Sequence, residues 1–247
     1  MRRLKFSNQV AFVSVEQGVH VKSKMKIDFV SDVSCPWCVI GLKALETALG
    51  RLDDQVAVDI HFQPFELNPQ MPAQGQDIGE HLAQKYGSTP EQSQRNREAI
   101  RARGAEVGFT FGMANRSRIY NTFDAHRLLH WADAEAEAGA EAEAGGMGRQ
   151  LALKEALFTS YFTKGENPSS HAVLARVAGE VGLSTQRAQE ILASNEYAFA
   201  VRERERFYLD QGIHSVPAVI INDRHLISGG QPAEVFEQAL RKIAAEA

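Results

Sequence analysis

Two cysteines constrain this chain more than any other feature: Cys35-Pro36-Trp37-Cys38, with no third cysteine anywhere in the 247 residues. The run before them, residues 27–33, is short and rich in apolar, β-branched and aromatic side chains, which predicts a buried strand. Pro36 suits the first position of a helix. Val39, Leu42, Leu45, Ala48 and Leu49 then recur at helical spacing until Gly50. The pair therefore falls where a strand hands over to a helix. On a first helical turn, positions i and i+3 share a face with Cβ atoms about 5–6 Å apart. A disulfide wants about 3.8 Å, so a small adjustment closes the bond, and it reopens readily. Free backbone N–H groups and the positive end of the helix dipole at Cys35 favour a thiolate there. Cys38 lies one turn further in. The expectation is that Cys35 attacks and Cys38 resolves. Two alternatives stand beside it. The pair could be half of a zinc site completed by His126 and His130, spaced i,i+4, or it could be two inert buried thiols.

The bulk composition narrows the setting. Formal net charge is −4, from 27 basic and 31 acidic residues, so no general positive field points to nucleic acid or an anionic membrane. The arginines at 95, 97, 101 and 103 are flanked by Glu91, Glu98 and Glu106, as on a solvated helix face. No run of about 18 apolar residues is present. Arg2, Arg3 and Lys5 precede an apolar stretch, but Ser14 interrupts it and Gln17 and His20 follow where small residues would be needed for cleavage. A cytoplasmic location is expected, and a reducing compartment disfavours a purely structural disulfide.

Along the chain, residues 56–65 alternate, with Val56, Val58, Ile60 and Phe62 opposite Asp59, His61 and Gln63. Strand–helix–strand implies a parallel pair joined by a crossover. About 130 residues follow with helical patterns near 77–87, 90–107, 121–138, 147–164, 169–181, 185–193 and 195–211. Starts are signalled at Thr89-Pro90, Asn167-Pro168-Ser169 and Ser184. Within them, residues 132–146 are an Ala/Glu alternation studded with Gly, read as a helix extension leading into a loop. Strands return at 216–222 and 224–228 around an Asn222-Asp223-Arg224 turn, making a hairpin. Pro232 opens a last helix with Val235, Phe236, Leu240 and Ile243 as its core face. The fold class expected is α/β: a thioredoxin-like fold with a large all-helical insertion. Its parts are an N-terminal extension (1–24), a β-α-β part (25–72), the insertion (73–194) and an α-β-β-α part (195–247).

The chain resembles the DsbA family of thioredoxin-fold oxidoreductases, and more narrowly its FrnE-like branch, over about residues 25–244. The resemblance is carried by Asp32-Val-Ser-Cys-Pro-Trp-Cys38, by the run from Pro64 through Phe65, Glu66, Leu67 and Asn68 to Pro72, by the run from Asn121 to Leu128, by the run from Ser215 to Asn222, and by Gly229-Gly-Gln-Pro232. It implies a cis peptide before Pro217, facing the cysteines, with the Val216 backbone free to pair with an extended substrate. It also implies that Pro36, Trp37, Val216 and Pro217 touch substrate; His214 and Ser215, just before Val216, either touch substrate as well or are only exposed loop residues. His126, Arg127 and Phe65 are border residues of the site on one reading. On the other, Asn121, Asp124 and their neighbours only cap and brace a helix. Some FrnE-like proteins carry a second cysteine pair; this chain does not.

These features lead to dithiol–disulfide exchange, with possible isomerase action, on protein or peptide substrates. No bound cofactor or metal is expected; an external redox partner or a thiol such as glutathione closes the cycle. A glutathione-dependent transferase or isomerase, of the kappa-class or 2-hydroxychromene-2-carboxylate type, is the alternative, though such relatives typically hold a single Ser or Cys where this chain has a pair. A non-enzymatic redox-sensing or client-binding module is the third reading. The coherent segment starts at Met25, which is expected to be the native first residue. N-terminal sequencing of the protein expressed from its own gene checks this: an intact Met1 refutes it.

Overall fold

The computed structural model of the chain describes residues 22–112, 116–138 and 148–246. Strand β1 (Ser23–Ser31) leads into α1 (Pro36–Gly50) and then β2 (Val56–Pro64). β1 and β2 run parallel, with Ile27 opposite Ile60 and Phe29 opposite Phe62. The strand thus begins before residue 27 and stops before Val33, which instead lies in the turn to α1. β5 (Ala218–Ile221) and β6 (His225–Ser228) form the expected hairpin. Asn222 and Asp223, both at positive φ, make its turn, a conformation these two residue types tolerate better than most. β5 pairs antiparallel with β1, so the sheet order is β2-β1-β5-β6. The last helix, α9 (Ala233–Ala245), packs against α1.

Strand alternation sorts the two faces of this sheet. Met25, Ile27 and Phe29 of β1, with Val219 and Ile221 of β5, point into the core beneath α1 and α9. Val30 and Ala218 point the other way, onto Tyr208 of α8 (Ala198–Asp210). Phe236, Leu240 and Ile243 of α9 are buried as expected, but Val235 is exposed, since it falls one step off the buried stripe.

The inserted block is helical as expected. It contains α2 (Ile78–Tyr86), α3 (Pro90–Glu106), α4 (Phe123–Ala138), α5 (Arg149–Phe158), α6 (His171–Glu180) and α7 (Thr185–Ala193). Thr89 and Gln92 form a reciprocal capping box at α3, and Ser184 caps α7. α6 is capped by Ser170 rather than at the Asn167-Pro168-Ser169 signal, where Asn167 instead accepts from the Ser169 amide. Arg95 and Arg101 are exposed on α3. Two features were not legible. Residues 76–77 (β3) and 118–119 (β4) pair as a two-residue ladder, too short to show a period. α5 passes into a π-helical turn, Thr159–Thr163. Of the Ala/Glu run, α4 takes the part up to Ala138; the loop expected after it, like nearly all of the N-terminal extension, lies outside the described residues.

His61 of β2 joins the sheet to α4. Its Nδ1 lies 3.1 Å from Asp133, and its Nε2 lies 3.2 Å from Asp59. The bond to Asp133 raises the imidazole from 6.5 to about 9, against the opposing effect of burial. The folded state therefore holds this proton more tightly than the unfolded chain does. The stabilisation is complete below the unfolded value and is lost as pH climbs through about 9. Thermal unfolding followed from pH 6 to pH 10 should show a loss of stability across that window. His61→Gln should lower stability at pH 6 and remove this part of the loss; an identical pH profile for the variant would count against the pair.

Candidate active site

The site is built at the junction of β1 and α1. Cys35 is the N-cap of α1, with extended backbone geometry, and Cys38 is the third residue of the helix. The turn is closed by backbone bonds from Cys35 N to Asp32 O (3.2 Å) and from Cys38 N to Cys35 O (3.1 Å). Cys38 is fully buried, and Cys35 keeps a rim of exposure at 4%. Burial pushes the Cys38 thiol well up, and the neighbouring Cys35 sulfur pushes the same way. Cys38 is thus held as a neutral thiol.

Asp32 anchors the turn. One carboxylate oxygen accepts from the Ser34 amide (2.9 Å), and the other accepts from the Leu67 amide (2.6 Å). The same side chain thereby ties the cysteine turn to the loop after β2. Burial alone would raise this carboxyl; the contact with His126 and the two amides more than offset that and hold it below its ordinary value. His126 Nε2 is 3.9 Å from Asp32, buried, and without a hydrogen-bond partner.

The Val216–Pro217 peptide is cis, as the resemblance implied. Cys35 Sγ lies 3.6 Å from the Val216 carbonyl oxygen, within reach for the thiol to donate. Two glycines permit this close approach. A Cβ on Gly41 would stand 3.1 Å from the Pro217 ring, and one on Gly230 would stand 3.0 Å from the Trp37 carbonyl. The Gly229-Gly230 motif thus lets the chain after β6 lie against the Trp37 backbone. Trp37 itself is 40% exposed, an unusual placement for so large an apolar ring.

The sequence-derived residues divide clearly. Cys35, Cys38, Val216 and Pro217 meet at one point, with Pro36 and Trp37 on the adjoining surface. His214 and Ser215 are exposed just before them. Phe65 packs with Val216 against the core under α8. His126 reaches the cysteine turn through Asp32. Arg127 is engaged elsewhere: it donates to Asp124 (2.7 Å) and to the carbonyls of Ser194 (2.7 Å), Glu196 (2.8 Å) and Ile191, lashing α4 to the α7–α8 connection. Asn121 braces the start of α4, accepting from Phe123 N and donating to Glu66. His130 meets the Tyr197 ring edge-on, with ring centroids 5.3 Å apart. Among the described residues, no three His, Cys, Asp or Glu side chains are grouped to hold a metal ion.

One residue of the site was missed entirely. Lys154 of α5 is fully buried, its Nζ has no hydrogen-bond partner, and its charge acts on Cys38, Asp32 and Cys35. Only its position among Leu151, Leu153, Leu157 and Phe158 could have pointed to it.

Comparison with known proteins places these features in a family. Residues 26–241 match the family described as the DSBA-like thioredoxin domain. A probable DsbA oxidoreductase of Streptomyces coelicolor is 30% identical, and its crystal structure superposes with a TM-score of 0.79 over 90% of this chain and 91% of that one. The uncharacterised protein YwbO of Bacillus subtilis is 26% identical over 223 residues, 90% of this chain and 96% of that protein. The cytosolic disulfide reductase DsbM of Pseudomonas aeruginosa, solved with glutathione, shares the fold at 16% identity, with a TM-score of 0.58 over 88% and 98% of the two chains. Among the described residues, no helix is long and apolar enough to cross a membrane.

The unequal burial of the sulfurs makes a direct prediction. In the reduced, folded protein, iodoacetamide should modify Cys35 and spare Cys38. Cys35→Ser should therefore react at least about tenfold more slowly than Cys38→Ser, because only a thiolate with access reacts. Equal labelling rates in the two variants would contradict the assignment.

Proposed function

The chain belongs to the DSBA-like thioredoxin domain family, whose members include disulfide oxidoreductases, and on that premise we propose that it exchanges dithiol and disulfide through Cys35 and Cys38 with protein or peptide substrates. The observation that carries this reading is the pair itself: a thiol at a helix N-cap, in a residue that keeps 4% exposure, 3.6 Å from the Val216 carbonyl, with a second, fully buried thiol on the first turn behind it.

The steps follow from that geometry. Cys35, as thiolate, attacks one sulfur of a substrate disulfide. The substrate S–S bond breaks, its electron pair leaves on the second substrate sulfur, and a Cys35–substrate disulfide forms. Cys38 then loses its proton and attacks Cys35 Sγ. The Cys35–Cys38 bond forms, and the substrate leaves with both sulfurs reduced. The reverse order oxidises a substrate dithiol, and release before Cys38 attacks allows isomerisation. An extended substrate segment lies along the Val216 backbone as an added strand does, with Trp37, Pro36 and Ser215 as its surroundings. The proximity of the Val216 carbonyl to Cys35 and the exposure of Trp37 and Ser215 support this placement.

No third cysteine exists to relay electrons within the chain, so a separate redox protein or a small thiol such as glutathione restores the pair. The presence of both cysteines favours exchange over a transferase that would need a single sulfur.

Reduction of a model protein disulfide and reactivation of a scrambled disulfide protein test the proposal. Cys35→Ser should lose activity on the order of a hundredfold or more, as removal of a nucleophile does. Cys38→Ser should accumulate a mixed disulfide visible as an added mass. Wild-type rates in the Cys35→Ser variant would refute the reading. Glutathione turnover that survives intact in Cys38→Ser would transfer support to the transferase alternative.

A further inference from the structure

Lys154 is among the largest side chains sealed from solvent in this protein, and it is a cation. Its buried neighbours on α5 are Leu151, Leu153, Leu157 and Phe158, and the one other buried polar side chain of that helix, Gln150, is fully engaged with the backbone of Phe62 and Leu129. Burying an ammonium without a bonded counter-ion is costly, and here Nζ makes no hydrogen bond. The rings of Phe158 at 5.0 Å and Phe62 of β2 at 5.9 Å offer it their faces, a partial compensation. Among the described residues, the ionisable groups whose charges act on it are Cys38 and Cys35 from α1 and Asp32 from the turn before it. Asp32 is already bonded to the amides of Ser34 and Leu67 and faces His126. The uncommitted sites for negative charge next to Lys154 are therefore the two sulfurs.

We propose that Lys154 is a positioning residue of the dithiol centre, a buried counter-charge that stabilises the thiolate forms of Cys35 and Cys38 and so sets the balance between dithiol and disulfide. The inference rests on the dithiol-exchange reading given above. When the Cys35–Cys38 disulfide takes up two electrons and one proton, it becomes one thiolate and one thiol. A fixed positive charge beside it favours that reduced state over the neutral disulfide. In the resolving step, the Cys38 proton passes, by way of solvent at the Cys35 rim, to the departing substrate sulfur. The negative charge that builds transiently on fully buried Cys38 is met by the Lys154 ammonium, which keeps its own proton. Burial lowers that ammonium to about 8, while the two sulfurs and Asp32 work in the opposite direction, as a mutual stabilisation requires.

The test is the equilibrium of the cysteine pair with glutathione redox buffers, read by thiol labelling and mass. Lys154→Met keeps the bulk and removes the charge. It should shift the equilibrium about tenfold toward the disulfide, which makes the couple about 30 mV more reducing. A folded Lys154→Met protein with an unchanged equilibrium overturns the proposal. A second measurement needs no variant. Because the coupling is reciprocal, the Lys154 side chain, followed by NMR in the wild-type protein, should titrate at higher pH in the reduced than in the oxidised form. Equal midpoints overturn the proposal even if Lys154→Met does not fold. A wild-type pair that never equilibrates with glutathione or any other dithiol defeats the exchange reading itself. A pair that equilibrates normally but ignores Lys154 defeats only this inference.

Discussion

The bond between the Asp32 carboxylate and the Leu67 amide is the constraint on which the site depends. It is 2.6 Å long, its carboxylate is fully buried, and the same carboxylate also holds the Ser34 amide of the cysteine turn. Without it, two loops that leave neighbouring parallel strands would meet only through apolar contact. With it, the start of α1 is fixed in position relative to the loop carrying Phe65 and Leu67, and Cys35 is fixed in turn relative to Val216. A buried carboxylate is stable only when its lone pairs are occupied. Here the amides of Ser34 and Leu67, one on each oxygen, meet that demand, and the same contacts satisfy those two amides.

The charges near the sulfurs act on one another. Asp32 is held below its ordinary range, the Lys154 charge acts on Asp32 and on both sulfurs, and the Cys38 thiol is pushed up by burial. Neither formal charge is paired to the other by a hydrogen bond, since Lys154 Nζ has no partner. Opposite charges that are near but unbonded leave a local field rather than a neutralised pair, and a field is what can act on a sulfur whose charge changes during the reaction. His126, facing Asp32 with Nε2 unbonded, is a further buried polar group in the same locality.

The legible parts of this fold are those with a local period or a local chemical signature. The β-α-β start, the Asn222-Asp223 hairpin turn and the caps at Thr89 and Ser184 each follow from residues that lie beside one another in sequence. The unread parts depend on distant partners. β3 and β4 are two residues each, and only their mutual pairing defines them. Arg127 reads as a border residue, yet beyond Asp124 its partners are carbonyls more than 60 positions away, and no spacing rule reports them. Lys154 was unreadable for a related reason. A lysine in an apolar stripe reads as the exposed edge of a helix until tertiary packing shows that both of its sides are covered. Val235 fails in the opposite sense: an apolar residue at a plausible helical position turns out to be one step off the buried arc.

These distant partners also change what the helical insertion is. A block added between β2 and β5 could have folded as a separate bundle, with its own core and a thin seam against the sheet. Part of it does so: α4, α6 and α7 bury Leu128, Trp131, Leu174, Ile191 and their neighbours largely among themselves, with Val33 reaching in from the cysteine turn. The other part does not. Leu151, Phe158, Tyr161 and Phe162, from α5 and the π-helical turn after it, share one continuous core with Cys35, Cys38, Phe29 and Phe62. Gln150 goes further, bonding both the amide and the carbonyl of Phe62 and so closing that stretch of the β2 edge with a side chain in place of another strand. The insertion thus supplies much of the packing beneath the cysteines, and Lys154, a buried cation, comes from the same helix as Gln150. A thioredoxin-type sheet and α1 position the two sulfurs, while α5 determines the medium in which they react.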